Sequence, residues 1–379
     1  HMHTSEKMDR ARTFHRARPF SPVRVILVLA FFSLVYLYMT RDSSTHGERP
    51  STSARPVTLV TGGLGFIGSH VVDLLLSEGH RVVIFDDESA GSRHHANATF
   101  VHGDIAVVKD FASLPPWKYD YVVHLAAKIS VAESMRDRPK YMLNNVQGSQ
   151  NVLDWAVKQG VKRVVSASSA AVYGVPETLP ITEKTLPSPL SPYAESKLQM
   201  EVLHERAFEK TGLSSVCLRF FNVYGPRQDP QNPYTGVISK FIDAGLSDSE
   251  IKILGTGKQF RDFVYVTDVA KAVLVSLTSQ FTSDDYPFQI FNVGTGVQSS
   301  IHEVAITIRE ILGYPRGAII QFYPAREGDI EKSVADVSAI KRFLDWKSSV
   351  NLLDGLRHTV DWLRESRSTT KLPLLRPRL

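Results

Sequence analysis

Three side chains could carry proton-transfer chemistry together. Tyr193 and Lys197 lie four residues apart in Ser-Pro-Tyr-Ala-Glu-Ser-Lys, and the run that follows (LQMEVLHERAFEK) is strongly helical. Positions i and i+4 share one helix face, so a lysine ammonium beside the phenol would lower its pKa. A phenolate stabilised in this way can accept a hydroxyl proton near neutral pH. Upstream, Ser-Ala-Ser-Ser-Ala-Ala-Val-Tyr-Gly closes an apolar strand-like run. It places the Ser169 hydroxyl where it could bridge Tyr193 and a substrate oxygen. A Tyr-x-x-x-Lys pair by itself is common in helices, so the chemistry needs a frame and an electron acceptor.

The frame begins at Val57-Thr58-Leu59-Val60-Thr61, a short apolar run suited to a buried parallel strand. It enters Gly62-Gly63-Leu64-Gly65-Phe66-Ile67-Gly68, and a helical pattern follows at Ile67, Val71, Val72, Leu74, Leu75 and Leu76, closing near Gly79. Strand, glycine turn and helix together make a dinucleotide site. Gly62 would form the tight turn, Gly65 would let the backbone approach a pyrophosphate, and Gly68 would let helix and strand pack closely. The helix N-terminus adds free N–H groups and a favourable dipole. A second strand, Arg81–Phe85, ends at Asp86-Asp87. A carboxylate there accepts hydrogen bonds from both ribose hydroxyls and repels an additional phosphate, so the expected cofactor is NAD and not NADP. Its nicotinamide charge would act with Lys197 on the Tyr193 phenol. Asp104-Ile105, after the third strand, is placed to hold the adenine ring.

Further strands are expected at 99–101, 121–125, 163–167 and 216–221, with helical stretches near 141–158 and 195–211. This alternation predicts an α/β fold, a Rossmann-type doubly wound parallel sheet with helices on both faces. Cys217 is the one cysteine, so no intrachain disulfide is available, and its apolar neighbours make it a core thiol.

The net charge of +5 is concentrated at the start. Residues 1–24 carry six Lys or Arg against Glu6 and Asp9, four of the five units, and the near-neutral remainder gives no sign of a nucleic-acid partner. Val25–Met39 (VILVLAFFSLVYLYM) has no charge, and Val23–Thr40 is long enough for a short membrane span. The basic side precedes it, which orients the N-terminus to the cytosol and the rest to a lumen. A cleaved signal peptide shares the charge-then-apolar pattern, but no small-x-small site follows. The expectation is a single-pass type II protein of the Golgi or ER. Residues 41–56 are polar and Ser/Pro-rich, as a stem would be, and Asn97-Ala98-Thr99 is a glycosylation sequon usable in a lumen.

The motifs, taken together, resemble the extended short-chain dehydrogenase/reductases. They are Thr-Gly-Gly-Leu-Gly-Phe-Ile-Gly, His-Leu-Ala-Ala, Ser-Ser-Ala-Ala-Val-Tyr-Gly, Ser-Pro-Tyr-Ala-Glu-Ser-Lys and Arg-Phe-Phe-Asn-Val-Tyr-Gly-Pro-Arg. Within that family they look most like the nucleotide-sugar 4-epimerases acting on UDP-glucose or UDP-N-acetylglucosamine, in order from about residue 57 to 363. The resemblance implies catalytic Ser169, Tyr193 and Lys197. It implies NAD contacts at Gly62, Gly65, Phe66, Ile67, Asp86, Asp104, Ile105, Leu125, Ala126, Ala127, Asn145, Tyr193, Lys197 and Phe220. A smaller C-terminal α/β domain would hold the UDP-sugar through Asn222, Val237, Arg261, Arg326 and Asp329, the arginines offering guanidinium forks to the phosphates. Ser333 falls on a pocket-gating position, where a small side chain leaves room for an N-acetyl group. A homodimer through a helix bundle is common among such proteins. The expected layout is a cytosolic basic tail at 1–22, a transmembrane anchor at 23–40 and a stem at 41–56. An NAD-binding domain at 57–224, a mainly UDP-sugar-binding region interleaved with the sheet at 225–365, and a tail at 366–379 complete it.

Sister activities are weighed on residues. Nucleotide-sugar dehydratases carry an Asp-Glu pair where this chain has Ala170 and Ala171, and UDP-glucuronate decarboxylases carry a Glu at the Ala171 position. UDP-glucuronate 4-epimerases need neither and share the membrane topology, so they are the main alternative. A membrane-anchored hydroxysteroid dehydrogenase would use the same Tyr and Lys with an apolar cleft.

Overall fold

The computed structural model describes residues 55–91, 93–232, 235–280, 288–313, 319–325 and 330–370, the side chains of 369 and 370 apart. The segments read as tail, anchor and stem up to residue 54 lie outside these residues, as do Arg326 and Asp329. Among the described residues no helix is long and apolar enough to cross a membrane.

Seven strands form one sheet: β1 (Val57–Thr61), β2 (Arg81–Asp86), β3 (Thr99–His102), β4 (Tyr121–His124), β5 (Arg163–Ser169), β6 (Ser215–Phe220) and β10 (Phe288–Val293). Their spatial order is β3-β2-β1-β4-β5-β6-β10, and every neighbouring pair is parallel. The chain walks outward from β1 to β3, then starts again on the other side of β1 at β4. That reversal is a topological switch point, and a crevice opens there beyond the carboxyl ends of the strands.

The strands are apolar on both sides because helices cover both faces. One face packs α1 (Phe66–Ser77) and α5 (Val266–Thr278) through Val71, Val72, Leu75, Val269 and Val273. The other packs α2 (Gly148–Gln159) and α3 (Pro192–Thr211), with Val152, Leu153 and Leu203 against Leu59, Phe85 and Val122. Ser191 caps α3 by accepting from the Ala194 N–H, and Pro192 follows at its first position, which sets where Tyr193 and Lys197 stand.

The remaining elements build a smaller layer. β7 (Asn222–Tyr224), β9 (Phe260–Tyr265) and β11 (Gln298–Ser300) make a three-stranded sheet, and β8 (Ile251–Leu254) pairs with β12 (Ile320–Tyr323). Helices α4 (Val237–Leu246), α6 (Ile301–Ile311) and the C-terminal helix Leu352–Thr370 close a second core around Ile242, Phe263, Val304 and Val360. β10 returns from this region to the edge of the large sheet, beside β6. The tail is expected to start at 366. Residues 366–370 continue the C-terminal helix, with the Ser366 hydroxyl donating to the Trp362 carbonyl and Arg367 paired with Asp243.

Candidate active site

The glycine turn has the three distinct environments its spacing calls for. Gly62 has φ +72°, and a Cβ there would lie 2.6 Å from the Ala126 nitrogen. A Cβ on Gly68 would come within 2.0 Å of the Gly62 carbonyl oxygen, so only hydrogen lets α1 start against the turn. Gly65 differs: its nearest obstacle is the Gly62 oxygen at 3.4 Å, which leaves its outer side open to a ligand. Gly65 is also the N-cap of α1, with no side chain capping it and no acidic residue in the first turn. The N–H groups of Phe66 and Ile67 therefore face the crevice end without an intrahelical acceptor, a ready anion site.

Asp86 ends β2 with only 7% of its surface exposed. Its carboxylate accepts from the Leu64 N–H (3.0 Å) and the Glu88 N–H (2.8 Å), which ties the glycine turn to β2. Burial raises its pKa while those two bonds lower it. Each oxygen keeps a second lone pair for a ribose hydroxyl. Leu125, Ala126 and Ala127 run across the turn, with the Leu125 N–H donating to the Thr61 carbonyl at 3.0 Å. An open Gly65, an uncapped helix start and a buried carboxylate at the next strand end together fit a dinucleotide.

Two of the expected cofactor contacts also hold the fold together. The Ile105 side chain is buried in the core with Phe85 and Leu153, and its carbonyl accepts from Asn151 at 2.9 Å; Asp104 stands half-buried after the strand end. Asn145 sits in a π-helical turn, Met142–Gln147. Its amide donates to the Lys128 carbonyl and the Ser196 hydroxyl, both at 2.9 Å, and accepts from the Lys128 N–H at 2.8 Å. Asn145 thus fixes the loop after β4 and the start of α3 to each other.

Ser169, Tyr193 and Lys197 come together at the carboxyl ends of β5 and β6. Ser169 closes β5 and lies in register with Phe220 of β6. Its hydroxyl interacts with the Tyr193 phenol and lowers that pKa, but burial acts more strongly and holds the phenol above its ordinary value. The Lys197 ammonium donates to the Ala167 carbonyl at 2.7 Å. Burial also pushes Lys197 down to about 8, opposed by Cys217 and Glu201. Lys197 is charged below that pH and neutral above it. Activity that depends on the ammonium is therefore expected to fall as pH rises through about 8, which a pH profile of kcat would show.

On the substrate side, Asn222 starts β7 two residues beyond Phe220, and its amide donates to the Asp262 carbonyl at 3.1 Å. Val237 opens α4. Arg261 is on β9 and donates to the Phe260 carbonyl at 2.9 Å. The Ser333 N–H donates to that same carbonyl at 3.2 Å, so Ser333 and Arg261 are brought side by side.

Some residues that hold the site have no local sequence signal. Asp262 is fully buried and accepts from Thr295 N–H and hydroxyl, Gly296 N–H and Ala335 N–H, gathering two loops next to Arg261 and Ser333. His124, at the end of β4, bonds to the Thr61 hydroxyl through Nδ1 and to the Ser149 hydroxyl through Nε2, each at 2.8 Å. Ser149 donates its own proton to the Asn145 carbonyl, which assigns the ring proton to Nε2. Burial drives the His124 pKa well below its ordinary value, so the ring is neutral.

Comparison with known proteins agrees with this geometry. The NAD dependent epimerase/dehydratase family profile matches residues 58–294. A putative UDP-glucose 4-epimerase of Methanocaldococcus jannaschii is 39% identical over 316 residues, covering 82% of this chain and 99% of that protein. The crystal structure of a Thermotoga maritima UDP-glucose 4-epimerase with UDP-glucose is similar, with TM-score 0.76 and 35% identity, over 82% of this chain and 99% of that one. A UDP-N-acetylglucosamine 4-epimerase from Methanobrevibacter ruminantium, in complex with UDP-N-acetylmuramic acid, has the same TM-score, identity and coverage. With the profile spanning more than half its length and the relatives nearly complete, the chain belongs to the NAD dependent epimerase/dehydratase family.

Proposed function

We propose that this chain inverts C4 of a UDP-hexose, interconverting UDP-glucose and UDP-galactose and also UDP-N-acetylglucosamine and UDP-N-acetylgalactosamine, through a 4-keto sugar. The reading rests on the Ser169–Tyr193–Lys197 group standing beside a dinucleotide crevice while Ala170 and Ala171, which follow Ser169, carry no acid or base. NAD, when bound, takes up the C4 hydride and gives it back. Tyr193 accepts the 4-hydroxyl proton and later returns it, and the Ser169 hydroxyl orients the same oxygen. Arg261, with Arg326 and Asp329 as the resemblance implies, keeps the nucleotide anchored while the keto sugar turns over. With no carboxylate at 170 or 171, elimination and decarboxylation lack their proton carriers.

Separating the products formed from UDP-glucose, UDP-N-acetylglucosamine, UDP-glucuronate and UDP-xylose tests the substrate. The proposal expects 4-epimers of the first two. Conversion of UDP-glucuronate alone would favour the glucuronate epimerase reading, which the anchor suits equally. Ser333 supports the wider pocket: Ser333→Tyr is expected to lower UDP-N-acetylglucosamine turnover at least about tenfold relative to UDP-glucose, since pocket sterics of this kind give roughly 10–200-fold discrimination. Equal losses on both substrates would remove the gating role.

We further propose that residues 23–40 anchor the chain in a Golgi or ER membrane with the catalytic part lumenal. The uncharged run behind a basic segment supports it. Asn97 is exposed just before β3, where a lumenal glycan could attach. Alkaline extraction is expected to leave the full chain with membranes and to release a chain lacking residues 1–54; release of both would reject the anchor. The proposal includes a homodimer, which light scattering at one subunit mass would refute.

A further inference from the structure

Behind the catalytic group lies a buried ion pair that the proposed reaction does not use. Lys197 and Glu201 are one turn apart on α3 and both are buried against the sheet. The Ser168 hydroxyl donates to Glu201 Oε1 at 2.5 Å, and Arg219 donates from Nε to Oε1 at 2.9 Å and from Nη2 to Oε2 at 2.7 Å. Arg219 on β6 lies in register with Ser168 on β5, and its guanidinium stacks over the Tyr173 ring at 4.7 Å. Glu201 and Arg219 are each 3% exposed. Stability alone does not account for such a pair, because well-packed apolar residues serve a core as well or better.

Its location suggests another purpose. α3 grips β5 at two consecutive residues, Lys197 at the Ala167 carbonyl and Glu201 at the Ser168 hydroxyl, immediately before Ser169. We propose that Glu201 is a positioning residue of the active site: it fixes the strand end bearing Ser169 against the helix bearing Tyr193, and it sets a negative charge one turn from the Lys197 ammonium. Arg219 holds the Glu201 carboxylate in that place with a bidentate fork.

The groups around Lys197 make the charge argument specific. Its own helix presents Tyr193 and Glu201, β5 the Ala167 carbonyl, β6 Cys217 with Arg219 beyond it, and β4 His124. Burial raises the Cys217 thiol and lowers His124, and against burial Lys197 is raised by Cys217 and by Glu201. Glu201 is then the carboxylate of this set that favours a charged Lys197, as the direction of its effect on Lys197 indicates.

This inference rests on the proposed epimerase reading for its kinetic consequence, but its central readout needs no sugar. In the NAD-loaded protein, the side-chain nitrogen resonance of Lys197 is titrated by NMR and assigned by its loss in Lys197→Met. Glu201→Gln is expected to move the Lys197 midpoint down by about one pH unit, to shift the basic limb of the kcat profile with it, and to lower kcat more than KM. Ser168→Ala is expected to lower kcat while leaving the midpoint where it was, because it removes the positional link and keeps the charge. If Glu201→Gln fails to fold through its unpaired arginine, Glu201→Gln/Arg219→Gln is expected to fold and still show the lowered midpoint. A midpoint unchanged in whichever charge variant folds, or a kcat unaffected in Ser168→Ala, overturns the proposal. Absence of turnover on any UDP-sugar by the unaltered chain, with the midpoint shift intact, would instead overturn the epimerase reading.

Discussion

Tyr193→Phe is expected to reduce turnover of the UDP-sugar by about 10²–10⁴-fold, the range that a positioned proton carrier contributes. The ring stays and the hydroxyl goes, so the packing at the start of α3 is kept. Only the interaction with Ser169 is lost, and a single such hydrogen bond is worth about 1 kcal/mol. Thermal unfolding and NAD retention are therefore expected to stay near those of the unaltered chain. Steady-state rates together with a melting curve check both halves. Near-normal turnover would remove Tyr193 as the proton carrier, and a collapsed melting temperature would make the loss uninformative.

Gly65→Val is expected to weaken NAD binding at least about a hundredfold, near 3 kcal/mol, without unfolding the stripped protein. Gly65 has φ −73° and ψ 179°, a backbone conformation open to any residue. Its Cβ would meet nothing closer than the Gly62 oxygen at 3.4 Å, so the new side chain projects into the space meant for the pyrophosphate. Gly68→Ala differs in kind. Its methyl would lie 2.0 Å from the same oxygen, so the turn itself must move, at a cost on the order of 1–3 kcal/mol or more. Isothermal titration with NAD, beside unfolding of the cofactor-free proteins, separates the two. Gly65→Val that binds NAD normally would show that the cofactor does not pass over this turn.

Much of this site is legible in the sequence because its main parts are local. Thr61 to Gly68 is one strand–turn–helix, and Tyr193 with Lys197 is one helix face introduced by Ser191 and Pro192. Their chemistry depends on spacings of a few residues, which periodicity and turn chemistry report. What the sequence conceals depends on contacts between distant segments. The β10 strand joins the sheet through pairing with β6, some seventy residues earlier in the chain. The Asn145 amide fastens Lys128 to Ser196, a link between segments that its own neighbours in the chain do not announce. The packing of the Ile105 side chain against Phe85 and Leu153 likewise shows only once the fold closes. Asp262 and the Glu201–Arg219 pair look like ordinary charged residues until the fold closes around them. The burial that raises the Tyr193 phenol in the protein alone is also out of the sequence's reach, because neighbours are visible in a sequence and desolvation is not.

The most direct test of the central claim follows the hydrogen at C4. The purified chain is given UDP-glucose deuterated at C4 in ordinary water with excess unlabelled NADH, and the UDP-galactose formed is examined by mass spectrometry and NMR. The account predicts that the product keeps its deuterium at C4 and that none enters the NADH pool, because the same hydride leaves and returns within one closed site. Loss of deuterium to the solvent or to the free cofactor pool, or net formation of NADH with release of a keto sugar, would contradict it.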